Sequence, residues 1–268
     1  MNANDLKLVV KEKYGEIAKK SLLVNQSSCC GPSSSCCGEL EVSMIGDEYK
    51  NIKGHQADAD LGLGCGIPTQ FAELKLGDHV LDLGSGAGND CFVARSIVGE
   101  SGKVTGLDFT ESMIVKANQN NQKLGYSNVE FVQGDIEEMA LPDNSFDVVV
   151  SNCVLNLVPD KNKAFSEIMR VLKPGGHFCV SDVVIKGVLP EKLRKDAEMY
   201  AGCVAGAIEK EKYMEIIEMQ GFKNVSVHKL RAIPIPAKVL ENYLSTEEIS
   251  EFQNSDLGLF SITVSGYK

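Results

Sequence analysis

The sequence predicts an α/β fold in which a parallel sheet carries helices on both faces. Strand-like and helix-like segments alternate between about residues 70 and 185, which indicates strands joined by helical crossovers. Val148, Val149 and Val150 are apolar at consecutive positions, as expected for a strand that is buried on both sides. A glycine-rich segment at 84–88 ends a predicted strand and opens a helix, where open α/β sheets commonly bind ligands.

The predicted elements cover most of the chain. A first helix at about 4–23 has apolar residues at helical spacing, and Asn4 or Asp5 can cap it. The strands of the alternating region are predicted at 79–83, 103–107, 129–133, 146–151 and 177–184, and its helices at 90–98, 111–124 and 161–172. Two helical stretches, at 190–206 and 210–220, and two strands, at 222–230 and 259–265, complete the set.

Composition excludes several classes of protein. The 268 residues are 43% hydrophobic and 24% charged, which is ordinary for a globular chain. The net charge of −10 disfavours binding to nucleic-acid phosphates. The sequence has no apolar run long enough to span a membrane and no signal peptide at its N-terminus. The expected location is therefore the cytoplasm, a reducing compartment in which nine cysteines point to metal or redox chemistry rather than to structural disulfides.

The glycine segment predicts a nucleoside-binding loop. Gly84, Gly86 and Gly88 allow the backbone to approach a ligand closely, and the helix N-terminus that follows adds a partial positive charge. Asp108 ends the next predicted strand, where a carboxylate can accept hydrogen bonds from ribose hydroxyls. A dinucleotide fingerprint requires a third glycine at the position of Asn89, so a nicotinamide oxidoreductase is disfavoured.

The loop also resembles the S-adenosylmethionine loop of class I methyltransferases, in which an acidic residue, here Asp82, precedes the glycines. Further motifs of that superfamily follow in order, namely QGDI at 133–136, PDNSFD at 142–147 and VLKPGG at 171–176. The resemblance implies that Asp135 faces the adenine amino group, that Ile136 packs on the adenine ring and that Met113 covers it. The predicted cofactor residues are Asp82, Gly84, Ser85, Gly86, Gly88, Asp108, Met113, Asp135, Ile136 and Asn152.

The cysteines fall into three groups. Cys91 and Cys179 lie within a predicted helix and a predicted strand, which favours a place in the core. Four others, Cys29, Cys30, Cys36 and Cys37, lie in a loop rich in Ser, Gly and Pro and lack the C-x-x-C spacing of zinc sites. The remaining three, Cys65, Cys153 and Cys203, belong to no regular core strand. Thiolates near a sulfonium methyl suggest an acceptor that is itself thiophilic.

The contexts of these three cysteines resemble those of bacterial and archaeal arsenite methyltransferases. The matching segments are Tyr14-Gly15, LGCGIP at 63–68, DLGSG at 82–86, SNCVLNL at 151–157 and YAGCVAG at 200–206. The chain departs from the family at Ile67, where members often carry Asn. The resemblance implies a Rossmann-like class I methyltransferase fold, with a seven-stranded sheet and a smaller C-terminal α/β region.

The resemblance also implies a function, a division of the chain and a set of partners. Cys65, Cys153 and Cys203 are expected to bind trivalent arsenic. The enzyme is expected to methylate this arsenic, with S-adenosylmethionine as the methyl donor. The expected regions are the N-terminal helix and cysteine-rich loop (1–69), the methyltransferase domain (70–190), and a region that completes the sheet and helps to bind arsenic (191–268). The expected reductant is thioredoxin or a small thiol, acting on a disulfide of Cys65 with one of the four loop cysteines. A monomer is expected.

Two alternative functions remain at this point. A methyltransferase of a small organic acceptor would explain residues 70–185 equally well and leave the three cysteines as a coincidence. A thiol-based arsenic scavenger or sensor would use the cysteines without turnover. Arsenic bound by thiolates needs no general base, and no His–carboxylate pair is expected at the site.

Overall fold

The computed structural model describes residues 3–24, 49–187, 206–233, 240–241, 244–254 and 258–268. The helices are α1 (Ala3–Val24), α2 (Asn89–Val98), α3 (Glu111–Leu124), α4 (Lys161–Val171), α5 (Lys210–Met219) and α6 (Thr246–Asn254). The strands are β1 (His79–Leu83), β2 (Lys103–Asp108), β3 (Val129–Gln133), β4 (Phe146–Asn152), β5 (Leu172–Lys186), β6 (Ile208–Glu209), β7 (Lys223–Ile233) and β8 (Gly258–Tyr267). Short 3₁₀ helices lie at Tyr49–Asn51, Pro68–Gln70 and Leu155–Leu157.

One sheet contains all eight strands, and the predicted Rossmann-like class I methyltransferase fold is confirmed. The strand order is β3-β2-β1-β4-β5-β8-β7, and the two-residue β6 pairs with β5 beside this path. Strands β1 to β5 are mutually parallel, whereas β8 is antiparallel to both β5 and β7. The expected parallel, seven-stranded sheet is therefore corrected in two respects. It is mixed, because β8 runs antiparallel to its two neighbours β5 and β7, and β6 adds an eighth strand.

The predicted element bounds agree closely with the structure in the alternating region. The bounds of β1, β3 and α3 are those predicted, and α2 and β2 each differ by one residue. Strand β5 begins at Leu172 rather than at 177, because the backbone at Leu172 is already extended where α4 ends. The helical stretch predicted at 190–206 and the four-cysteine loop lie outside the described residues, except for Gly206.

The core lies between the sheet and the helices on its two faces. Leu81, Val149, Phe178 and other large side chains have essentially no exposed surface, so their burial drives the sheet and helices together. Cys91 and Cys179 are both fully buried, as expected for core residues. Within the described part of the chain, no helix is both long and apolar enough to cross a membrane.

Candidate active site

The glycine loop forms the floor of a large cleft at the carboxyl ends of β1, β2 and β4. Gly84, Gly86 and Gly88 adopt left-handed backbone conformations, with φ of 68°, 51° and 99°. A Cβ atom on Gly84 would come within 2.3 Å of the Val154 side chain, so only glycine fits there. The cleft encloses about 1140 Å³, including the solvent at its mouth. Its place at the carboxyl ends of parallel strands is where open α/β sheets commonly bind ligands.

Asp108, at the end of β2, connects the glycine loop to the next strand. Its Oδ2 accepts a hydrogen bond from the Gly86 amide at 3.0 Å, and its Oδ1 accepts one from the Thr110 amide at 2.8 Å. Burial raises the pKa of Asp108, and these backbone donors oppose the rise. Beside it, the buried Ser85 Oγ has no hydrogen-bond partner among the described residues. An unsatisfied hydroxyl in the floor of a cleft is a group that a bound polar ligand can satisfy.

Helix α1 covers one side of the cleft. Lys7, Val10 and Tyr14 line the cleft from this helix. The Lys7 ammonium lies 2.6 Å from Asp135 Oδ2 and also forms an ion pair with Glu137. Helix α1 is thereby tied to the end of β3, where Asp135 was predicted to meet the adenine.

A buried polar network lies on the opposite side of the loop, and sequence reasoning did not find it. The Tyr49 hydroxyl donates to Asp90 Oδ1 at 2.7 Å, and Asn152 Nδ2 donates to the Tyr49 oxygen at 2.8 Å. Burial raises the pKa of Asp90 to about 6 and that of Asp82 well above its ordinary value. An acidic residue in the first turn after the glycines is the signal that could have identified Asp90.

A His–carboxylate pair is also present at the edge of the cleft, contrary to the sequence-based expectation. His55 Nδ1 lies 3.8 Å from Asp60 Oδ2 and 3.1 Å from Asn89 Oδ1. Asp60 and Asn89 both line the cleft. These residues come together only because the turn after Tyr49–Asn51 packs on the start of α2, a contact that no local pattern indicates.

Two of the three predicted arsenic ligands lie together in one apolar cluster. This thiol cluster consists of Val10, Cys65, Cys153, Leu157, Val183, Ile185, Ala207, Leu240, Ile249 and Leu259. Cys65 and Cys153 are each only 2% exposed, and Cys153 also lines the cleft. Cys203 lies outside the described residues, as do Cys29, Cys30, Cys36 and Cys37. The residues described contain no group of three His, Cys, Asp or Glu side chains that could hold a metal ion.

Cys153 has an unusual backbone for a non-glycine residue. Its φ is 60°, in the left-handed region, directly after β4 ends at Asn152. A residue with a Cβ atom that is held there stores backbone strain, and such strain is commonly found at functional sites.

The two core cysteines are unsuited to binding a metal or metalloid. Burial raises the pKa of the Cys179 thiol to about 12 and that of Cys91 well above its ordinary value. Cys91 and Cys179 therefore stay protonated and are poor thiolate ligands.

Comparison with known proteins places this geometry in a family. Residues 74–221 match a family model described as a methyltransferase domain. The chain is 33% identical to an arsenite methyltransferase of Aquipseudomonas alcaligenes over 94% of its own length and 71% of that protein. The chain belongs to the arsenite methyltransferase family.

Other members of the family give the same picture. An arsenite methyltransferase of Halobacterium salinarum is 40% identical over 82% of this chain and 58% of that protein. The crystal structure of an arsenic(III) S-adenosylmethionine methyltransferase from Chlamydomonas reinhardtii superposes with a TM-score of 0.64 at 36% identity. That match covers 76% of this chain and 67% of the other. The chain spans 58% of the length of the Halobacterium relative and 71% of the length of the Aquipseudomonas relative.

S-adenosylmethionine is the cofactor that these methyltransferases indicate, and the cleft fits it. The orphaned Ser85 hydroxyl, the close-approach glycines and the Asp108 carboxylate provide a polar floor, and apolar side chains provide the walls. Of the ten predicted cofactor residues, nine line the cleft. The exception is Gly88, where a Cβ atom would meet Phe92 and Phe131, so this glycine is needed for packing.

Proposed function

We propose that this protein transfers a methyl group from S-adenosylmethionine to trivalent arsenic, presented as arsenite or its thiol complex, and so serves arsenic detoxification. The observation that carries the proposal is the burial of Cys65 and Cys153 in one apolar cluster, with Cys153 in the wall of the cofactor cleft. Soft thiolates select thiophilic ions such as trivalent arsenic. The named activity of the family relatives supports the same conclusion.

The proposed chemistry balances without a proton transfer. The bound cofactor supplies an electrophilic methyl group on a sulfonium sulfur. Arsenic coordinated by thiolates retains a lone pair, which forms the new As–C bond while the sulfur keeps the electrons of the broken S–C bond. No proton leaves the nucleophile, so no general base is needed. The His55–Asp60 pair has no role in this step.

The residues of the chain position the reactants and exclude water. Asp108 and the glycine loop hold the nucleoside end, and α1 covers the cleft through Val10 and Tyr14. The thiol cluster surrounds both sulfurs with aliphatic side chains, so the acceptor meets the methyl group in a dry environment. We assign the third arsenic ligand to Cys203.

The arsenic product must be reduced before the next cycle. Methylation formally oxidises arsenic by two electrons, which two cysteine thiols return when they form a disulfide and release two protons. We assign this disulfide to Cys65 and one of Cys29, Cys30, Cys36 and Cys37, and its reduction to thioredoxin or a small thiol. A cytoplasmic monomer fits this cycle, because the cytoplasm maintains such reductants.

A second candidate function gains support from one observation. A methyltransferase of a small organic acceptor would need a general base, and the His55–Asp60 pair lies at the edge of the cleft. It leaves the buried Cys65 and Cys153 without a role, so we rank it second.

One assay separates these functions. The protein is incubated with arsenite, a dithiol and methyl-labelled S-adenosylmethionine, and arsenic species are separated by chromatography. Label in methylated arsenic supports the proposal. Label that appears only on an added organic acceptor favours the second candidate, and stoichiometric arsenic binding without label transfer indicates a scavenger.

A further inference from the structure

We propose that Ser261, on β8, is a positioning residue of the arsenic site, because its hydroxyl fixes the backbone of Cys65 beside Cys153. The inference rests on the proposed function, in which Cys65 is an arsenic ligand. Ser261 is 3% exposed and is not part of the cleft lining. It therefore acts on the acceptor side without touching the cofactor.

Two side chains from distant parts of the chain bond the peptide groups of Cys65. The Ser261 hydroxyl donates to the Cys65 carbonyl oxygen at 2.7 Å, across 196 residues of sequence. Asn152 Oδ1 accepts a hydrogen bond from the Cys65 amide at 3.0 Å and from the Gly66 amide at 3.3 Å. Since Cys65 belongs to no helix or strand, these side-chain bonds take the place of secondary structure in fixing where its Cβ lies.

The same frame holds the second thiol. The Cys153 amide donates to the Ser181 carbonyl of β5 at 2.7 Å. Strand β8 pairs with β5 residue by residue, so that Ser181 faces Thr263 and Val183 faces Ser261. Cys153 is thus bonded to β5 and Cys65 to β8, so two paired strands hold the backbones of both cysteines.

The glycines on either side of Cys65 bring its loop close to this frame. A Cβ atom on Gly64 would lie 2.6 Å from Asn152 Nδ2, and one on Gly66 would lie 2.6 Å from Ser181 Oγ. Both distances are shorter than a Cβ contact allows. The Gly64-Cys65-Gly66 segment can therefore lie this close to Asn152 and Ser181 only because its flanking residues are glycines. The close approach gives Ser261 its contact with Cys65.

The experiment uses Ser261→Ala, Ser261→Thr and Ser265→Ala in the full chain. Ser265 is the matched control, because it lies four residues along the same strand on the same face, is 5% exposed, and bonds His228 instead of Cys65. Arsenite is titrated against alkylation of the protein, and peptide mass spectrometry reads the protection of Cys65 and Cys153 separately. Cofactor affinity is measured in parallel with S-adenosylhomocysteine.

We expect Ser261→Ala to need about 3- to 10-fold more arsenite for half protection of Cys65, the size of one lost hydrogen bond. Its KM for arsenite should rise by a similar factor while cofactor affinity stays unchanged. Ser265→Ala should match the wild type, and Ser261→Thr, which keeps the hydroxyl, should restore binding.

Three results would overturn the inference. Equal arsenite protection in Ser261→Ala and Ser265→Ala, in a wild type that is itself protected, removes the positioning role and leaves the proposed function intact. A loss of cofactor affinity as large as the loss of arsenite affinity would show a general loss of structure instead. If arsenite does not protect Cys65 in the wild type, the proposed function fails, and the inference fails with it.

Discussion

The cofactor cleft and the thiol site meet at Asn152 and Cys153, yet left-handed backbone conformations shape the glycine loop of the cleft, whereas side-chain hydrogen bonds hold the Cys65 segment of the thiol site. Most predicted cofactor residues lie between 82 and 136, at the ends of three neighbouring strands, and left-handed glycines shape the loop. Cys65 is instead bonded by side chains 87 and 196 residues further along the chain. A site that depends on backbone conformation can be recognised from a short sequence motif. A site that depends on side chains far apart in the sequence can be recognised only from the folded structure.

Each of the two regions buries an acid that accepts a hydrogen bond from a tyrosine hydroxyl. In the cleft, Asp90 shares its oxygens with Tyr49 and Asn152. On the thiol side, Asp182 of β5 accepts a hydrogen bond from the Tyr213 hydroxyl at 3.0 Å, and both residues are fully buried. Burial raises the pKa of Asp182 to about 7. Burial also raises the pKa of Tyr213, followed by the Asp182 carboxylate, with smaller contributions from Cys65 and Cys153. The protein interior behind the thiols therefore disfavours further negative charge.

The largest expected effect comes from removing a thiol of the thiol site while leaving the cofactor cleft intact. Cys153→Ala should lower arsenite methylation by more than about 100-fold, since loss of a ligand should exceed the effect of losing a residue that supports one. S-adenosylhomocysteine affinity, measured by calorimetry, should stay near that of the wild type. Cys179→Ala is the matched control, because it removes an equally buried thiol from β5 and should retain activity. Comparable losses in both variants would contradict separate roles for the two cysteines.

The next largest effect comes from removing a carboxylate of the cofactor cleft while leaving the thiol site intact. Asp108→Ala should weaken S-adenosylhomocysteine binding by about 10- to 100-fold, because hydrogen bonds to a charged group are among the stronger ones. Protection of Cys65 by arsenite should not change. Asp58→Ala removes an exposed carboxylate that pairs with Lys123 outside the cleft and serves as the control. Loss of arsenite protection in Asp108→Ala would mean that the two regions are not independent.

A pH experiment tests the buried acid on the thiol side. The folded pKa of Asp182, about 7, lies above the ordinary aspartate value of 3.8, so the folded state binds more protons between those values. This contribution to stability is complete below pH 4 and is lost as the pH rises through 7. Asp182→Asn should therefore raise Tm at pH 8, by roughly 2–4 °C for each kcal/mol recovered. The gain should vanish near pH 4 in thermal melts, and a gain that does not depend on pH would refute the assignment.

The smallest expected effect tests the covering helix. Lys7→Ala removes the ion pairs between α1 and Asp135 and Glu137. Because these groups are partly exposed, cofactor affinity should fall by only about 2- to 5-fold, and less at high salt. Lys11→Ala, an exposed position on the same helix, should have no effect. Equal titration curves for the two variants at low salt would show that the Lys7 pairs do not support the cleft.

The sequence predicted the cofactor cleft far better than its surroundings. The bounds of β1 and α3 were correct, and Ser85, Asp108 and Met113 all line the cleft, because these elements follow from local patterns. Tyr49 and Lys7 were missed, since only the packing of their segments against α2 and α3 brings them to the cleft. The antiparallel β8 was predicted as a strand, but its place between β5 and β7 depends on the whole sheet.

That place has a consequence for the order in which the molecule can assemble. During synthesis β7 emerges before β8, yet its partner in the sheet is β8. Until β8 is complete, β7 has no strand to pair with, and Cys65 lacks the hydroxyl that bonds its carbonyl oxygen. The strands that shape the cofactor cleft, β1, β2 and β4, all leave the ribosome before β8. A nascent chain should therefore bind S-adenosylmethionine before it can bind arsenic.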